Sequence, residues 1–198
     1  MNFLNTSQAL DADLVIEAYR HGYFPMADSR TMEISWYSPD PRAIISLDTF
    51  RISRSLRRVV RRHPFQLRIN TAFGEVIRGC ARREETWISQ QIIETYIGLH
   101  GKGFAHSVES WWGEDLVGGL YGISIGGAFF GESMFSVMSD ASNVALVHLV
   151  GLLKLKEFRL LDTQFMNRHV EQFGAREIPR SQYLEMLRGA LGANCKFG

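Results

Sequence analysis

Cysteine is scarce in this sequence, because only Cys80 and Cys195 occur among the 198 residues. Two cysteines are too few for a disulfide framework or a cysteine-ligated zinc cluster, so we expect a reducing compartment. Long apolar runs are also missing: no stretch approaches the roughly 18 apolar residues of a membrane-spanning helix. Residues 1–14 lack a basic segment followed by an apolar run, so we expect no export signal and a cytoplasmic protein.

Acidic residues are absent between positions 48 and 75, although the net charge of the whole chain is only +1. Within this stretch, residues 51–62 alternate arginines with the apolar Ile52, Leu56 and Val59, which predicts an amphipathic helix with a basic outer face. Guanidinium groups suit phosphate, so we predict contact with a nucleic-acid backbone; the alternative is a solvated surface. The predicted contact residues are Arg51, Arg54, Arg57, Arg58, Arg61 and Arg62.

The order of periodic patterns predicts an α+β fold with a central, mainly antiparallel sheet. Strand patterns at residues 104–112, 116–125 and 128–135 are joined by glycine-containing turns, which is typical of a meander. Ala141–Leu155 is apolar nearly all round and predicts a buried helix.

Two prolines and two aromatic residues make residues 36–42 resemble an irregular connection. We therefore place a domain boundary near Pro39. This divides the chain into a small N-terminal domain, residues 1–39, and a main domain, residues 40–198.

Glycines inside the predicted strands have two explanations. They mark either the close approach of a ligand or of another stretch of backbone, or else bulges and tight packing, and we favour the second explanation. The glycines concerned are Gly118, Gly119, Gly122 and Gly131.

Three polar side chains are candidates for chemistry. Asp162 and Gln164 stand two apart in a strand-like run, so both should leave one face and could act together on a nucleophile at a cleft. The alternative, which the pattern alone favours, is that they cap a helix beginning near Asn167. Glu132 lies in an aromatic setting and needs a partner, which could be a ligand amine or an arginine.

An apolar pocket is a further possibility, although aromatic residues and leucines at such spacings usually form the core. The candidate lining residues are Trp87, Tyr96, Leu120, Met134, Leu146, Leu149 and Leu153. The six histidines show no metal-ligand spacing, and hydrolase, nucleotide-triphosphate and dinucleotide motifs are missing, so we expect no metal and no cofactor.

Several longer sequence motifs, which follow one another in the same order along the chain, resemble those of the bacterial leucyl/phenylalanyl-tRNA–protein transferase family. They are YRHGYFPM at 19–26, WYSPDPR at 36–42, ETWI at 85–88, AHSVE at 105–109, LVGGLYG at 116–122, GESMFS at 131–136, and GA with IPR at 174–180. The resemblance spans residues 14–187. LVGGLYG followed by GESMFS at a fixed separation is its most specific part.

The resemblance implies a small N-terminal domain and a C-terminal domain similar to the acyl-CoA N-acyltransferase fold. It implies transfer of Leu or Phe, with Met also open, from aminoacyl-tRNA to proteins with N-terminal Arg or Lys, which creates a degradation signal. It also adds Leu161 and Tyr19 to the pocket, places Glu132 near the amines, and links Asp162 and Gln164 to catalysis. Two departures concern contacts with the tRNA end: Met26 replaces a common aromatic residue, and Asn143 replaces a common lysine.

The chemistry expected from this resemblance is direct aminolysis of an ester by an α-amine. Gln164 would position the amine, and Asp162 would act as base or as electrostatic support, without a metal or a covalent intermediate. Two rival readings are an acetyl-CoA-dependent N-acetyltransferase and a non-catalytic RNA-binding module. The pyrophosphate loop that the first rival needs is missing before Ala141–Leu155. We expect a monomer.

Overall fold

The structure is a computed structural model that describes residues 10–197. Residues 1–9 and Gly198 lie outside the described residues. Most of residues 1–14, for which we expect no export signal, therefore also lies outside them. The helices are α1 (Ala12–Arg20), α2 (Arg54–Arg62), α3 (Phe73–Ala81), α4 (Gln90–Gly101), α5 (Ala141–Leu155), α6 (Arg168–Glu171) and α7 (Arg180–Leu191). The strands are β1 (Phe24–Ala27), β2 (Ile34–Tyr37), β3 (Arg42–Ile45), β4 (Gln66–Ile69), β5 (Ala105–Trp112), β6 (Asp115–Ile125), β7 (Ala128–Ser136), β8 (Leu160–Gln164) and β9 (Ala175–Ile178).

A seven-stranded sheet in the order β4-β5-β6-β7-β8-β3-β9 forms the centre of the molecule, and β1 pairs with β2 in a separate hairpin. Every neighbouring pair in the large sheet is antiparallel except β7 and β8. This confirms the predicted α+β class with a mainly antiparallel sheet. The parallel pair runs only from Ala128 opposite Leu160 to Phe130 opposite Asp162, so the two strands separate beyond that point.

Helices cover both faces of the sheet and bury two hydrophobic clusters. On one face, residues of α1, α3, α4 and α7 pack with sheet residues such as Tyr121 and Phe130. On the other face, residues of α2 and α5 pack with Phe129 and Leu161. Neighbouring residues of one strand therefore contribute to different clusters, as the pleat requires. The N-terminal segment shares the first cluster through Val15 and Tyr19, and the boundary near Pro39 stays a prediction.

Side chains accept hydrogen bonds from backbone N–H groups at the starts of α2 and α3. Ser53 Oγ accepts from the backbone N of Leu56 and so starts α2. α3 has Ala72 at its N-cap position, without a side-chain cap, and the buried Glu109 of β5 accepts from the backbone N of both Thr71 and Ala72 instead. The contact with Glu109 ties the start of α3 to β5.

Tight packing explains the strand glycines, in agreement with the interpretation that we favoured. A Cβ added to Gly118 would lie 2.5 Å from the Cβ of Ala141, and one added to Gly122 would overlap the carbonyl oxygen of Phe130. A bulge also lies at Gly122, where the register between β6 and β7 shifts. Gly131 differs, because it borders the pocket described below.

The irregular connection expected at residues 36–42 is only partly present. Trp36 and Tyr37 end strand β2, and Arg42 begins β3, so only the proline-containing link between them is irregular. The prediction failed because two four-residue strands are too short for a periodic pattern to outweigh the prolines. The short β9 was also missed, although it pairs with β3 along its whole length.

Gly122→Ala should destabilise the protein by about 1 to 3 kcal/mol, because the added methyl group overlaps backbone that cannot move freely. Gly98→Ala is the matched control, since a Cβ at that helical position meets nothing within 4 Å and should stabilise the protein by roughly 0.5 to 1 kcal/mol. Urea unfolding of the two variants measures both values. Equal stability of both variants would contradict the packing explanation.

Candidate active site

A cavity of about 360 Å³ lies where β7 and β8 separate, and it is within the usual size range of small-ligand sites. Side chains from both faces of the sheet reach it through this gap. Leu120, Leu146 and Leu161 come from the cluster beneath α5, whereas Tyr121 comes from the opposite cluster. We call this cavity the pocket.

The apolar part of the pocket contains most of the residues that we predicted for it. Those present are Trp87, Leu120, Met134, Leu146, Leu149 and Leu161. The structure adds Met26, Ile45, Phe165 and Val170, which the sequence analysis did not propose for the lining. Phe165 stands out because 42% of it is exposed and its ring packs edge-on against Phe24.

Three predicted pocket residues do not line it. Leu153 is fully buried in the cluster around α5. Tyr19 and Tyr96 are also fully buried, and their hydroxyl oxygens lie 2.5 Å apart behind Glu132. Both tyrosines therefore contribute to the site through the carboxylate that they support.

Glu132 carries the main polar contacts of the pocket. Its Oε1 accepts hydrogen bonds from the hydroxyl of Tyr19, at 2.7 Å, and from Nε2 of Gln164, at 2.8 Å. Burial raises the pKa of Glu132 to about 8, with the charge of Asp162 acting in the same direction, while the hydrogen bond from Tyr19 opposes the shift.

The second carboxylate oxygen of Glu132, Oε2, is buried and has no hydrogen-bond partner among the described residues. The alternative that Glu132 pairs with an arginine is not supported, because no ion pair joins them in the described part of the chain. Two more buried hydroxyls of the lining, on Tyr121 and Thr163, are equally without a partner there. The pocket therefore offers several polar atoms to a ligand.

Asp162 is joined to Arg42 in an ion pair that water does not reach, since both side chains are 0% exposed. Its two oxygens accept from Nε and Nη2 of Arg42 at 3.0 and 2.6 Å. The hydroxyl of Tyr183 and the backbone N of Gln164 donate to the same carboxylate. Asp162 is thus fully hydrogen-bonded and does not line the pocket.

Gln164 does line the pocket and has a left-handed backbone, with φ of 63°. This conformation costs a residue with a side chain about 1 to 3 kcal/mol and is typical of functional sites. The hydrogen bond from its backbone N to Asp162 Oδ1, at 2.8 Å, stabilises it. The capping alternative is not supported for this pair, because Asn167 itself caps α6.

The six arginines of residues 51–62, here called the arginine segment, are all exposed. Leu56 is the buried residue of α2, and no acidic side chain forms an ion pair with these arginines among the described residues. The backbone N of Arg51 donates to the carbonyl of Phe173, whose ring contacts the pocket residue His169. One end of the arginine segment therefore lies near the pocket.

Arg42 is the functional candidate that sequence reasoning missed. Its guanidinium lies between the rings of Phe24 and Tyr183, 4.7 and 4.5 Å from their centroids, and Nη1 donates to the carbonyl of Gly22. Its position inside a proline-containing motif was the only available signal. Asn143, the other departure from the family pattern, binds Asp140 and lies outside the pocket.

Comparison with known sequences agrees with this geometry. A family model described as leucyl/phenylalanyl-tRNA protein transferase matches residues 44–188, and the model of the N-terminal domain of that transferase matches residues 8–40. The chain belongs to this transferase family.

Relatives of the transferase family match along nearly their whole length. The leucyl/phenylalanyl-tRNA–protein transferase of Gloeobacter violaceus is 54% identical over 188 residues, which cover 95% of this chain and 97% of the relative. That of Chlorobaculum parvum is 55% identical over 187 residues, 92% and 96% of the two chains. The solved structure of L-PGS from Bacillus licheniformis aligns with 79% of this chain and 51% of its own, at 16% identity and a TM-score of 0.42.

Residues 10–197 contain no group of three or more His, Cys, Asp or Glu side chains that could hold a metal ion. No helix within this range is long and apolar enough to cross a membrane.

The stability of this transferase should fall with rising pH because of Glu132. Its pKa is raised from 4.5 to about 8, so the folded protein retains the proton while the unfolded chain loses it. The stabilising contribution is present below about pH 4.5 and is lost as the pH rises through about 8. In Glu132→Gln this decline should be smaller by more than about 1 kcal/mol, since one pKa unit corresponds to about 1.4 kcal/mol. Urea unfolding between pH 5 and 8, roughly the window between the two pKa values, measures it; parallel curves would contradict the assignment.

Proposed function

We propose that the protein transfers Leu or Phe from aminoacyl-tRNA to the N-terminus of an acceptor protein. The observation that carries this proposal is the pocket itself. Its base is apolar, and the free oxygen of Glu132 and the amide of Gln164 lie at its polar side. An amino acid presents these same two features, an apolar side chain beside an amine.

The apolar part of the pocket holds the side chain of the transferred amino acid. Trp87, Leu146 and Leu149 line this part of the pocket, and the indole N–H is the one hydrogen-bonding group among these three side chains. Such a surface favours the side chains of Leu and Phe over polar side chains. Met is accommodated by the same surface, because one methylene in such a site is worth only about 1 to 3 kcal/mol.

Glu132 binds an amine of the substrates. Once Glu132 is ionised, Oε2 is the acceptor that an ammonium group needs, and an ammonium placed there would lower the pKa of Glu132 towards its usual range. The carboxylate is fixed by Tyr19 and Gln164 through its other oxygen, so Oε2 is held in place before the ligand arrives.

The reaction is aminolysis of the aminoacyl ester. The acceptor nitrogen attacks the ester carbonyl, the new C–N bond forms, the C–O bond to the ribose breaks, and the proton lost by the amine ends on the released ribose oxygen. An α-amine has a pKa of about 7.7 to 8.0, so an appreciable fraction is neutral at physiological pH. Holding amine and ester in contact can supply roughly 7 to 11 kcal/mol of the barrier.

Gln164 positions the attacking amine, and Asp162 acts as electrostatic support rather than as the base. The contacts of Asp162 support this choice, because Arg42 and Tyr183 occupy its oxygens and it does not border the pocket. Its effect reaches the substrate through the backbone of Gln164.

The acceptors are proteins with N-terminal Arg or Lys, and the added residue serves as a degradation signal; both points rest on the family resemblance. The protein acts in the cytoplasm as a monomer.

The arginine segment binds the phosphate backbone of the donor tRNA. Its side chains are exposed, they lack ion-pair partners among the described residues, and one end lies near His169 at the pocket. Several arginine–phosphate contacts of this kind make binding strongly salt-dependent.

Incubation with Phe-tRNA and an Arg-initiated peptide should yield Phe-Arg-peptide, detected by mass spectrometry. An acetyl-CoA-dependent enzyme would modify the peptide only with acetyl-CoA, and a non-catalytic module would yield nothing. Gln164→Ala should lower kcat by about 10²-fold because the amine loses its positioning group. Gln182→Ala changes an exposed glutamine of α7 and should leave kcat unchanged. Full activity of Gln164→Ala would refute the assigned role.

Replacing Arg54, Arg57, Arg58 and Arg61 by glutamine should weaken tRNA binding and flatten its salt dependence. Each lost phosphate contact should reduce the slope of log K against log salt by roughly 0.7 to 0.9. Filter binding of the tRNA over a range of salt concentrations measures the slope. Arg188→Gln, which removes an exposed arginine of α7, is the control for loss of positive charge elsewhere on the surface and should leave the slope unchanged. An unchanged slope in the fourfold variant would show that these arginines form a solvated surface only.

A further inference from the structure

A second cavity, of about 540 Å³, adjoins the pocket and has not been given a role so far. It lies between the end of α3, the end of β7 and the start of α5. Arg83, Met134 and His169 line both cavities, so the two spaces are adjacent. Because Arg82 lines only the second one, we call it the Arg82 groove.

The Arg82 groove is cationic. Arg82 and Arg83 are both exposed, and the described residues that line the groove include no carboxylate. Neither arginine forms an ion pair within the described part of the chain. Arg83 Nη2 donates to the carbonyl of Met134 at 2.6 Å, which fixes this guanidinium at the junction with the pocket and leaves its other N–H groups available.

Neighbouring groups add to the preference for an anion. The groove reaches Ser142 in the first turn of α5, where the helix dipole places partial positive charge. Asp140, which precedes this turn, accepts a hydrogen bond from Asn143 and does not line the groove. His169 Nε2 is buried without a hydrogen-bond partner among the described residues. Burial and then the charge of Arg83 lower the pKa of His169, so it faces a ligand as a neutral imidazole.

We propose that the Arg82 groove binds the phosphodiester groups next to the aminoacyl ester of the donor. This proposal rests on the proposed function, because it assumes that the ester lies in the pocket. The nucleoside that carries the ester also carries a 5′ phosphate one ribose away. When the ester lies in the pocket, the donor strand must run out of the pocket past this phosphate. The guanidinium groups of Arg82 and Arg83 line one such route beside the ester.

Charge also separates the two substrates. The donor backbone is anionic, whereas an acceptor that begins with Arg or Lys carries up to two positive charges at its first residue, on the side chain and on the α-amine. Arg82 and Arg83 attract the first and repel the second, so the acceptor approaches the ester from another side of the pocket. The groove thus differs from the arginine segment, which contacts phosphates farther along the tRNA.

The test compares two small donors that differ in phosphate content. One is adenosine esterified with Phe, without phosphate, and the other is the trinucleotide CCA esterified with Phe; both are used with an Arg-initiated peptide. Arg82→Gln should raise KM for Phe-CCA by roughly 10-fold or more, the usual effect of losing a charge-assisted hydrogen bond, and leave KM for Phe-adenosine unchanged. Arg83→Gln should also raise KM for Phe-CCA, and Arg83→Lys should restore part of the loss.

Arg188→Gln is the control for a general loss of positive charge and should leave both KM values unchanged. Activity on Phe-adenosine shows that a variant is folded and that its pocket is intact. Equal effects of Arg82→Gln on both donors, or an effect on KM of the peptide instead, would overturn the proposal.

Calorimetric binding of the CCA trinucleotide without an esterified amino acid separates this proposal from the proposed function. CCA should bind Arg82→Gln about 10-fold more weakly than the unchanged protein, whether or not any transfer is observed. Equal CCA affinity in both proteins would overturn the groove assignment alone. Absence of transfer from Phe-tRNA in the unchanged protein would overturn the proposed function.

Discussion

Arg42 and Asp162 exchange charge-assisted hydrogen bonds at a place that water does not reach. Taking both charges out of water costs several kcal/mol per ion, which their attraction offsets only when the remaining polar atoms are also satisfied. Here the carbonyl of Gly22, the hydroxyl of Tyr183 and two aromatic rings complete the shell of the guanidinium. The pair therefore connects the N-terminal segment, two sheet strands and α7 at one point, and it fixes the backbone of Gln164.

The separation of β7 and β8 gives the pocket its two-sided chemistry. A continuous sheet keeps its two faces apart, but a gap between parallel strands lets side chains of both faces meet. The leucines beneath α5 then form an apolar base, while Glu132 and Gln164 join from the opposite face. A site that must recognise an oily side chain and a charged amine within a few ångströms needs this combination.

Local patterns in the sequence predicted the elements whose signal is long or repeated. The structure confirms the meander β5 to β7, the buried α5 and the basic face of α2. These elements were predictable because each extends over several periods of its sequence pattern. The hairpin of β1 and β2 was missed because its strands are short.

The site was predictable mainly through the family resemblance. Trp87, Leu120 and Leu149 look like ordinary core residues in a single sequence, and only the folded chain shows which of them face a cavity. The partner of Asp162 lies 120 positions away in Arg42, a separation at which no local pattern operates.

The hydrogen bond from Tyr19 has a consequence for how the N-terminal helix participates in the chemistry. Glu132 lies on β7, yet one of the donors that stabilise its ionised form comes from α1. Any displacement of α1 from the sheet would withdraw that donor and make the carboxyl group a weaker acid. The docking of α1 on the sheet and the affinity of the site for an ammonium group are therefore thermodynamically coupled, although Tyr19 and Glu132 lie 113 positions apart in the chain.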